Sequence, residues 1–246
     1  MDDEETNVYT EYANFPPLYT EQINDLVLSK QLEIWESIVR RSIAKHGAYI
    51  INEESNEKPP FYNPDINRKV KRSFMVLIGQ HLIERGYGFY IHSIKRFCID
   101  NGCTIWYALC LNKDSKNNKL CSIHDQKYQT FSKVKAHDTN ITTLKRKRDK
   151  LESDRIELGI FPKTLDETGE QVLDHVKSKL AANQVETLYF LFFWGGETTK
   201  RYNSWAEEHI AFILATLVQK QKIAIIPSDP AFTKTLSSKQ VGVQLL

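Results

Sequence analysis

The sequence predicts an α+β fold made of two similar units in tandem, joined by an inserted basic linker. One stretch of chain on each side of the middle shows the same order of helix-like and strand-like patterns. Residues 113–163, between them, are polar and carry thirteen basic against seven acidic residues. Because the apolar residues of this insertion lack a sustained period, we expect that neither unit needs it to fold.

The first unit opens with an amphipathic helix. Ser29 is a candidate N-cap, Gly47 a candidate stop, and apolar residues between them recur on one helical face. After a turn-rich stretch, Phe74, Leu77, Ile78 and Leu82 fall at helical spacing and predict a further helix, with Ser73 available as a cap and Gly86 as a stop. Two strand-like runs, residues 87–92 and 103–111, then predict a hairpin.

The second unit repeats this order. Thr164 is a candidate N-cap, with Glu167 three residues later to complete a capping box. Residues 185–194 indicate a strand or short turn into the core, and residues 204–221 a strong helix. Two terminal strand-like runs end the chain. Helices followed by a two-stranded wing, occurring twice, predict two tandem winged-helix domains. The predicted segments are 1–28 N-terminal docking segment, 29–112 first domain, 113–163 linker and 164–246 second domain.

The N-terminal run "FPPLY" combines two prolines with large apolar side chains, which are costly to leave in water. A pre-extended proline segment with rigid rings suits docking into a partner's pocket. Two alternatives stay open: the segment folds back over its own first helix, or it is a WW-domain ligand, because "PPLY" fits Pro-Pro-x-Tyr. A second copy, "PPFY" at residues 59–62, favours a turn entering the next helix.

Charge is unevenly spread although the formal net charge is only +2. Residues 1–28 hold seven acidic side chains and no Lys or Arg, whereas residues 145–148 read "KRKR". That basic run fits a solvated helix face, a basic patch or a nuclear import signal. The overall balance excludes a nucleic-acid polycation.

Several motifs occur in a fixed order along the chain: "FPPLYT", "KQLEIW", "FYNPDINRKV", "TLYFL" and the ending "KIAII…VGVQLL". In this order they resemble the small subunits of the ESCRT-II complex, the vacuolar protein sorting-associated protein 25 family. The resemblance covers residues 13–112 and 164–246. The chain departs from the family pattern in its basic insertion and in Phe190, where the family prefers an acidic residue.

The resemblance implies a non-catalytic adaptor for sorting ubiquitylated cargo into multivesicular bodies, cytoplasmic and peripheral on the endosomal membrane through its complex. The N-terminal motif would insert into pockets on the larger ESCRT-II subunits, vacuolar protein sorting-associated proteins 22 and 36. Its residues in this sequence are Phe15, Pro16, Pro17, Leu18 and Tyr19.

The resemblance further implies that the second domain binds an ESCRT-III subunit, vacuolar protein sorting-associated protein 20. Helical spacing leaves Glu207, Glu208 and Phe212 on the outer face of the last helix, with Tyr202 just before it. An acidic pair beside exposed aromatic rings suits a partner helix with basic and apolar residues.

Catalysis and metal binding find little support in the sequence. No G-x-S-x-G, Walker A or H-E-x-x-H pattern occurs, and the four cysteines (Cys98, Cys103, Cys110, Cys121) lack a Cys-x2-Cys knuckle. We therefore expect no enzyme, no cofactor and no metal.

A winged-helix nucleic-acid-binding protein is the alternative function. Four basic residues precede the second predicted helix of the first unit: Arg68, Lys69, Lys71 and Arg72. That helix offers only Gln80 and His81 as base readers, and the acidic start of the last helix is unsuited to phosphate.

Overall fold

The computed structural model describes residues 12–44, 47–91, 141, 144–145, 157–181, 183–194, 202, 204–227 and 241–246. The described residues up to Thr164 form one compact unit, and those from Leu165 to Leu246 form another. The predicted domain limits also include residues outside the described part of the chain, and as a set they stay predictions.

The first unit combines two helices with short strands. A 3-10 turn, Pro16–Tyr19, comes first and a second one, Glu53–Glu57, lies between the helices. The regular elements are α1 (Asp25–Ala44), β1 (Tyr49–Ile51), β2 (Tyr62–Asn63), β3 (Arg68–Lys69), α2 (Arg72–Glu84), β4 (Gly88–Tyr90) and β5 (Leu158–Ile160).

Strand β5 is the centre of the first sheet, whose order is β1-β5-β4. It pairs antiparallel with both neighbours: Gly159 lies opposite Ile50 on one side and Phe89 on the other. Leu158 and Ile160 are fully buried. The predicted linker 113–163 is therefore wrong at its end, because residues 158–160 are bonded within the first sheet.

The predicted two-stranded wing of the first unit also differs from the observed sheet. The second predicted wing strand, residues 103–111, lies outside the described residues, and β4 pairs with β5 instead. Residues 91–157 thus connect two neighbouring strands of the first sheet. The predicted insertion begins inside a winged helix and does not simply separate two of them.

Helix α1 begins four residues before the predicted N-cap Ser29. The side chain of Asn24 accepts hydrogen bonds from the backbone N–H groups of Leu26 and Val27, which have no partner inside the helix. The predicted stop is confirmed: Gly47 has φ +75°, a left-handed conformation that suits glycine, and its N–H donates to the carbonyl of Ile43.

The second unit repeats the order of the first. Its elements are α3 (Leu165–Lys179), β6 (Val185–Thr187), α4 (Leu188–Phe192), α5 (Glu207–Gln219), β7 (Ile223–Pro227) and β8 (Val241–Leu245). The sheet order is β6-β8-β7, so the last strand again lies in the middle. The terminal hairpin is confirmed, with Ile225 opposite Val243.

Helix starts in the second unit follow the sequence signals. Helix α3 begins directly after Thr164, as predicted. The run 185–194 holds both a strand and a helix, because the Thr187 side chain accepts a hydrogen bond from the N–H of Phe190 and starts α4. The predicted inner face of α5 is confirmed: Ile210, Ile213, Leu214 and Leu217 are buried. Among the described residues, no helix is both long and apolar enough to cross a membrane.

Candidate docking site

The segment Pro16–Tyr19 lies against α1 with one face and is open on the other. Proline at the first positions costs the 3-10 turn no hydrogen bond, since those N–H groups have no partner in a helix. Leu18 and Tyr19 point inward, with 3% and 4% of their surface exposed. The Tyr19 ring meets the Trp35 ring edge-on with centroids 5.5 Å apart, and its hydroxyl donates to the Ala13 carbonyl.

Two side chains of α1 hold the backbone of this segment. Trp35 donates from Nε1 to the Leu18 carbonyl at 3.0 Å. Gln31 donates from Nε2 to the carbonyls of Leu18 at 2.8 Å and Thr20 at 2.9 Å, and its Oε1 accepts from the N–H of Gln22 at 3.3 Å. Gln31 is itself buried, so these bonds satisfy polar groups that water does not reach. They fix the turn in one conformation.

A third contact comes from the β2–β3 hairpin. Asn63 donates from Nδ2 to the Ala13 carbonyl at 2.9 Å and to Asn14 Oδ1 at 3.1 Å. Sequence reasoning missed the roles of Gln31 and Asn63. The available signal was the spacing of Gln31 and Trp35, four residues apart on one helical face.

The open face of the segment is apolar. Phe15 is 52% exposed, and Pro16 and Pro17 are also exposed. Nine large hydrophobic side chains are exposed in the described part of the chain, and five of them lie within residues 12–27: Tyr12, Phe15, Ile23, Leu26 and Val27. Such a concentration marks an interaction surface.

The five predicted docking residues therefore divide into two groups. Phe15, Pro16 and Pro17 are available to a partner, whereas Leu18 and Tyr19 fill the protein's own core. The expectation that all five face a partner is wrong for Leu18 and Tyr19, because Trp35 and Gln31 draw that end of the turn onto α1. A WW domain would need the Tyr19 ring, which is buried in this fold.

The predicted ESCRT-III surface divides similarly. Glu207 is exposed and Glu208 half-buried, but Tyr202 and Phe212 are 2% and 6% exposed. Tyr202 packs between the rings of His175, at 4.8 Å, and Trp205, at 5.0 Å. The prediction of an outward Tyr202 and Phe212 is wrong, since both belong to the core of the second unit. The exposed aromatic side chains of that unit, among the described residues, are Phe190 and Trp194.

Two of the four basic residues proposed for nucleic-acid contact form ion pairs within the first unit, and both proposed base readers have contacts there. Lys69 pairs with Glu57 and Arg72 with Glu53, both at 2.6 Å. Of the two predicted base readers, Gln80 is fully buried and His81 is paired with the carboxylate of Glu36 at 3.1 Å.

Glu36 is the electrostatic centre of the first unit. Besides His81, its carboxylate lies 3.4 Å from Arg85 Nε and 3.5 Å from Arg40 Nη1. Burial on its own raises the pKa of Glu36, but the hydrogen bond to His81 and the charges of His81, Arg85 and Arg40 outweigh it and leave the pKa below its usual value. Arg40 also donates to the Pro162 carbonyl at 2.9 Å. The cluster thus ties α1 to α2 and to the segment after β5.

No cluster of three metal-ligating side chains occurs within the described ranges. All four cysteines lie outside the described residues.

One family model and several solved structures are similar to this chain. The family model described as "ESCRT-II complex subunit" matches residues 12–206. A solved structure of VPS25, a subunit of the endosomal trafficking complex ESCRT-II, is similar with a TM-score of 0.57 and 18% identity, over 95% of this chain and 96% of that one. A chain in a crystal structure of the VPS22/VPS25/VPS36 complex is similar with a TM-score of 0.56 and 18% identity, over the same shares, 95% and 96%.

A chain of another ESCRT-II structure is similar with a TM-score of 0.55 and 18% identity, over 97% of each chain. These similarities confirm the predicted tandem winged-helix fold. No curated protein sequence matches the chain.

Proposed function

Because the chain belongs to the ESCRT-II complex subunit family, we propose that it is the small adaptor subunit of ESCRT-II and docks on the larger subunits through Phe15, Pro16 and Pro17. The related VPS25 is found in a complex with VPS22 and VPS36, so chains of those two kinds are the expected partners. The protein would act in endosomal sorting, peripheral on the endosomal membrane through its complex.

One observation supports this proposal: side chains of α1 hold the inner face of the N-terminal turn by hydrogen bonds, while its outer face is exposed. Gln31 and Trp35 hold its carbonyls, while Phe15 remains 52% exposed. A segment already held in its binding conformation loses little conformational entropy on association. At ~25 cal/mol per Å², an aromatic side chain of ~150–250 Å² gives roughly 4–6 kcal/mol on full burial, before the cost of association.

The test separates the outer face of the turn from the inner face. Phe15→Ala with Pro16→Ala and Pro17→Ala should leave the melting temperature nearly unchanged and lower affinity for the co-expressed larger subunits at least about tenfold, since each 1.4 kcal/mol is a factor of ten. Titration calorimetry measures the affinity. Trp194→Ala, an equally exposed ring in the second unit at 59%, is the matched control. Unchanged affinity in the triple variant, or equal loss in the control, would contradict the proposal.

Tyr19→Ala is the complementary variant. Its ring is buried against Trp35, so we expect a loss of stability of about 3 kcal/mol, typical of removing a core aromatic side chain. A Tyr19→Ala chain as stable as the unmutated protein would mean that the inner face is not part of the core.

We further propose that the second domain binds a helix of an ESCRT-III subunit of the kind named vacuolar protein sorting-associated protein 20. The acidic start of α5 supports this, because Glu207 is exposed and Glu208 partly so. A partner helix with basic residues is the complement. Glu207→Lys with Glu208→Lys should weaken binding of an N-terminal ESCRT-III peptide in titration calorimetry and spare assembly with the larger subunits. The same affinity in both proteins would remove these two residues from the site.

Nucleic-acid binding has lost part of its support, since Lys69, Arg72 and His81 are each paired with a glutamate. We expect no shift of random duplex DNA at physiological salt. Submicromolar binding would reverse this choice.

A further inference from the structure

Three residues of the connection between β4 and β5 lie against the first unit. Leu144 is 1% exposed and belongs to the hydrophobic core of that unit, and Ile141 packs against the same core. Both are helical, and a spacing of three residues puts them on one side of a helix. A solvated linker has no reason to bury a leucine this completely.

A charged contact lies next to this apolar one. Lys145 Nζ is 2.8 Å from Asp25 Oδ1, and Asp25 is the first residue of α1. The exposed apolar residues Tyr12, Phe15, Ile23, Leu26 and Val27 form the docking face of the N-terminal segment. Two of them flank Asp25, since Ile23 is 95% and Leu26 82% exposed. The connection between β4 and β5 therefore returns to the start of the helix that holds the docking segment.

We propose that Ile141, Leu144 and Lys145 form a wing anchor, which fastens this connection to the start of α1 and supports the docking segment for partner binding. The first half of the proposal, that the anchor fastens the connection to α1, stands on the contacts alone. The second half, that it supports docking, rests on the proposed function. The occupant of this part of the first unit's core, and the partner of Asp25 on α1, is thus a segment of the same chain.

The exposure of the docking face favours a supporting role for the anchor over a blocking one. With Leu144 buried and Lys145 paired, Phe15, Ile23 and Leu26 all remain open. Fixing the first turn of α1 then lowers the entropy that the docking face loses on binding. Charge favours the same contact, since residues 1–28 hold seven acidic residues and no Lys or Arg, while Lys145 starts the basic run "KRKR".

The anchor is tested on the full chain by hydrogen exchange of the peptide that spans residues 141–145. Leu144→Ala should speed amide exchange there by at least about tenfold, because it empties a buried position. Leu246→Ala, the same change at a leucine 74% exposed, is the control and should change nothing.

The ion pair is tested by charge exchange. Asp25→Lys should speed exchange by about two- to fivefold, the range for a partly exposed pair, and Asp25→Lys with Lys145→Asp should restore it. Exchange in Leu144→Ala equal to that in Leu246→Ala would overturn the anchor, and so would failure of the double variant to recover.

Binding to the co-expressed larger subunits tests the second half. Leu144→Ala should weaken it about two- to tenfold, with Leu246→Ala unchanged. Faster exchange with unchanged or tighter binding would overturn the supporting role. If Phe15→Ala also fails to weaken binding, the proposed docking function falls, while the exchange result still decides the anchor.

Discussion

The two winged-helix units share one sheet topology but reach it through very different connections. In both sheets the last strand lies between the other two, β1-β5-β4 and β6-β8-β7. Residues 91–157 separate the paired strands β4 and β5, whereas residues 228–240 separate β7 and β8. The long connection costs only about 1.5 kcal/mol more in loop closure, because that entropy grows with the logarithm of length.

Burial of the central strand outweighs that cost. Leu158 and Ile160 in β5 are fully buried, as are Val241 and Val243 in β8. Burying one such side chain gives about 1.5–3 kcal/mol. Two apolar residues are therefore enough to offset the longer loop, and the topology survives an insertion of this size.

The element between the two long helices differs in type between the units, but it packs on the first helix in both. The first unit has a 3-10 turn and the β2–β3 hairpin, and Phe61 between them stacks on Trp35 of α1, with ring centroids 5.7 Å apart. The second has the short helix α4, which buries Phe192 against His175 of α3 at 5.5 Å. In both units an aromatic ring from this element packs on the first helix.

The largest effect on this comparison should come from Leu158→Ala. Leu158 lies on the central strand, packs near Gly79 of α2 and is fully buried, so we expect the first unit to lose about 2–5 kcal/mol of unfolding free energy. Denaturant unfolding monitored by hydrogen exchange resolves the two units. The second unit should keep its stability.

Val243→Ala is the mirror experiment in β8. It should destabilise the second unit alone, by a smaller amount, because two side-chain carbons are removed and not three. If Leu158→Ala left the first unit unchanged, β5 would not be the strand that completes its sheet.

Sequence patterns predicted those parts of the fold that are local. The inner face of α5 and the terminal hairpin follow from spacing over a few residues, and α3 begins directly after its predicted cap Thr164. The pairing of β5 with β1 and β4 could not be predicted this way. Its sequence, Leu158-Gly159-Ile160, is three residues long and stands behind a charged polar run, so it carries no period of its own.

The site shows the same limit. The proline-aromatic run indicated that the N-terminal segment docks somewhere, but not which side chains face inward. That division depends on Gln31 and Trp35 of α1, which reach back to the Leu18 carbonyl. Tyr202 was misplaced for a related reason. Helical spacing ranks the faces of one helix, whereas the burial of Tyr202 depends on the ring of His175 in α3 and on the nearby ring of Trp205.

The next prediction concerns the pH dependence of stability, because the first unit contains a charged cluster where α1 meets α2. The pKa of Glu36 is lowered in the folded protein, so its stabilising effect is fully present above its ordinary pKa of 4.5 and is lost as the pH falls through the lower folded value. Glu36→Gln should cost the first unit about 1.5–3 kcal/mol at pH 7, the range for hydrogen bonds to charged groups.

That difference should shrink as the pH falls below 4.5 and through the lower folded pKa, where Glu36 itself becomes protonated. Urea unfolding of both proteins across this pH range measures it. Glu170→Gln, at an exposed position of α3, is the control and should stay close to the unmutated protein throughout. A Glu36→Gln deficit that is constant with pH would mean that the side chain acts through packing alone.

The smallest effect should come from the ion pair that joins two helices of the second unit. Lys220, at the end of α5, lies 2.6 Å from the carboxylate of Asp166 in the first turn of α3. Both side chains are well exposed, at 45% and 84%, so water and salt screen the attraction and the pair should contribute no more than about 1 kcal/mol.

Lys220→Met and Asp166→Asn should each lower unfolding free energy slightly, and their double variant should cost no more than either alone. The deficit should vanish in about 1 M salt, where charges interact over only about 3 Å. A deficit above about 2 kcal/mol, or one that persists in salt, would mean that the second unit depends on surface charge as much as the first depends on Glu36.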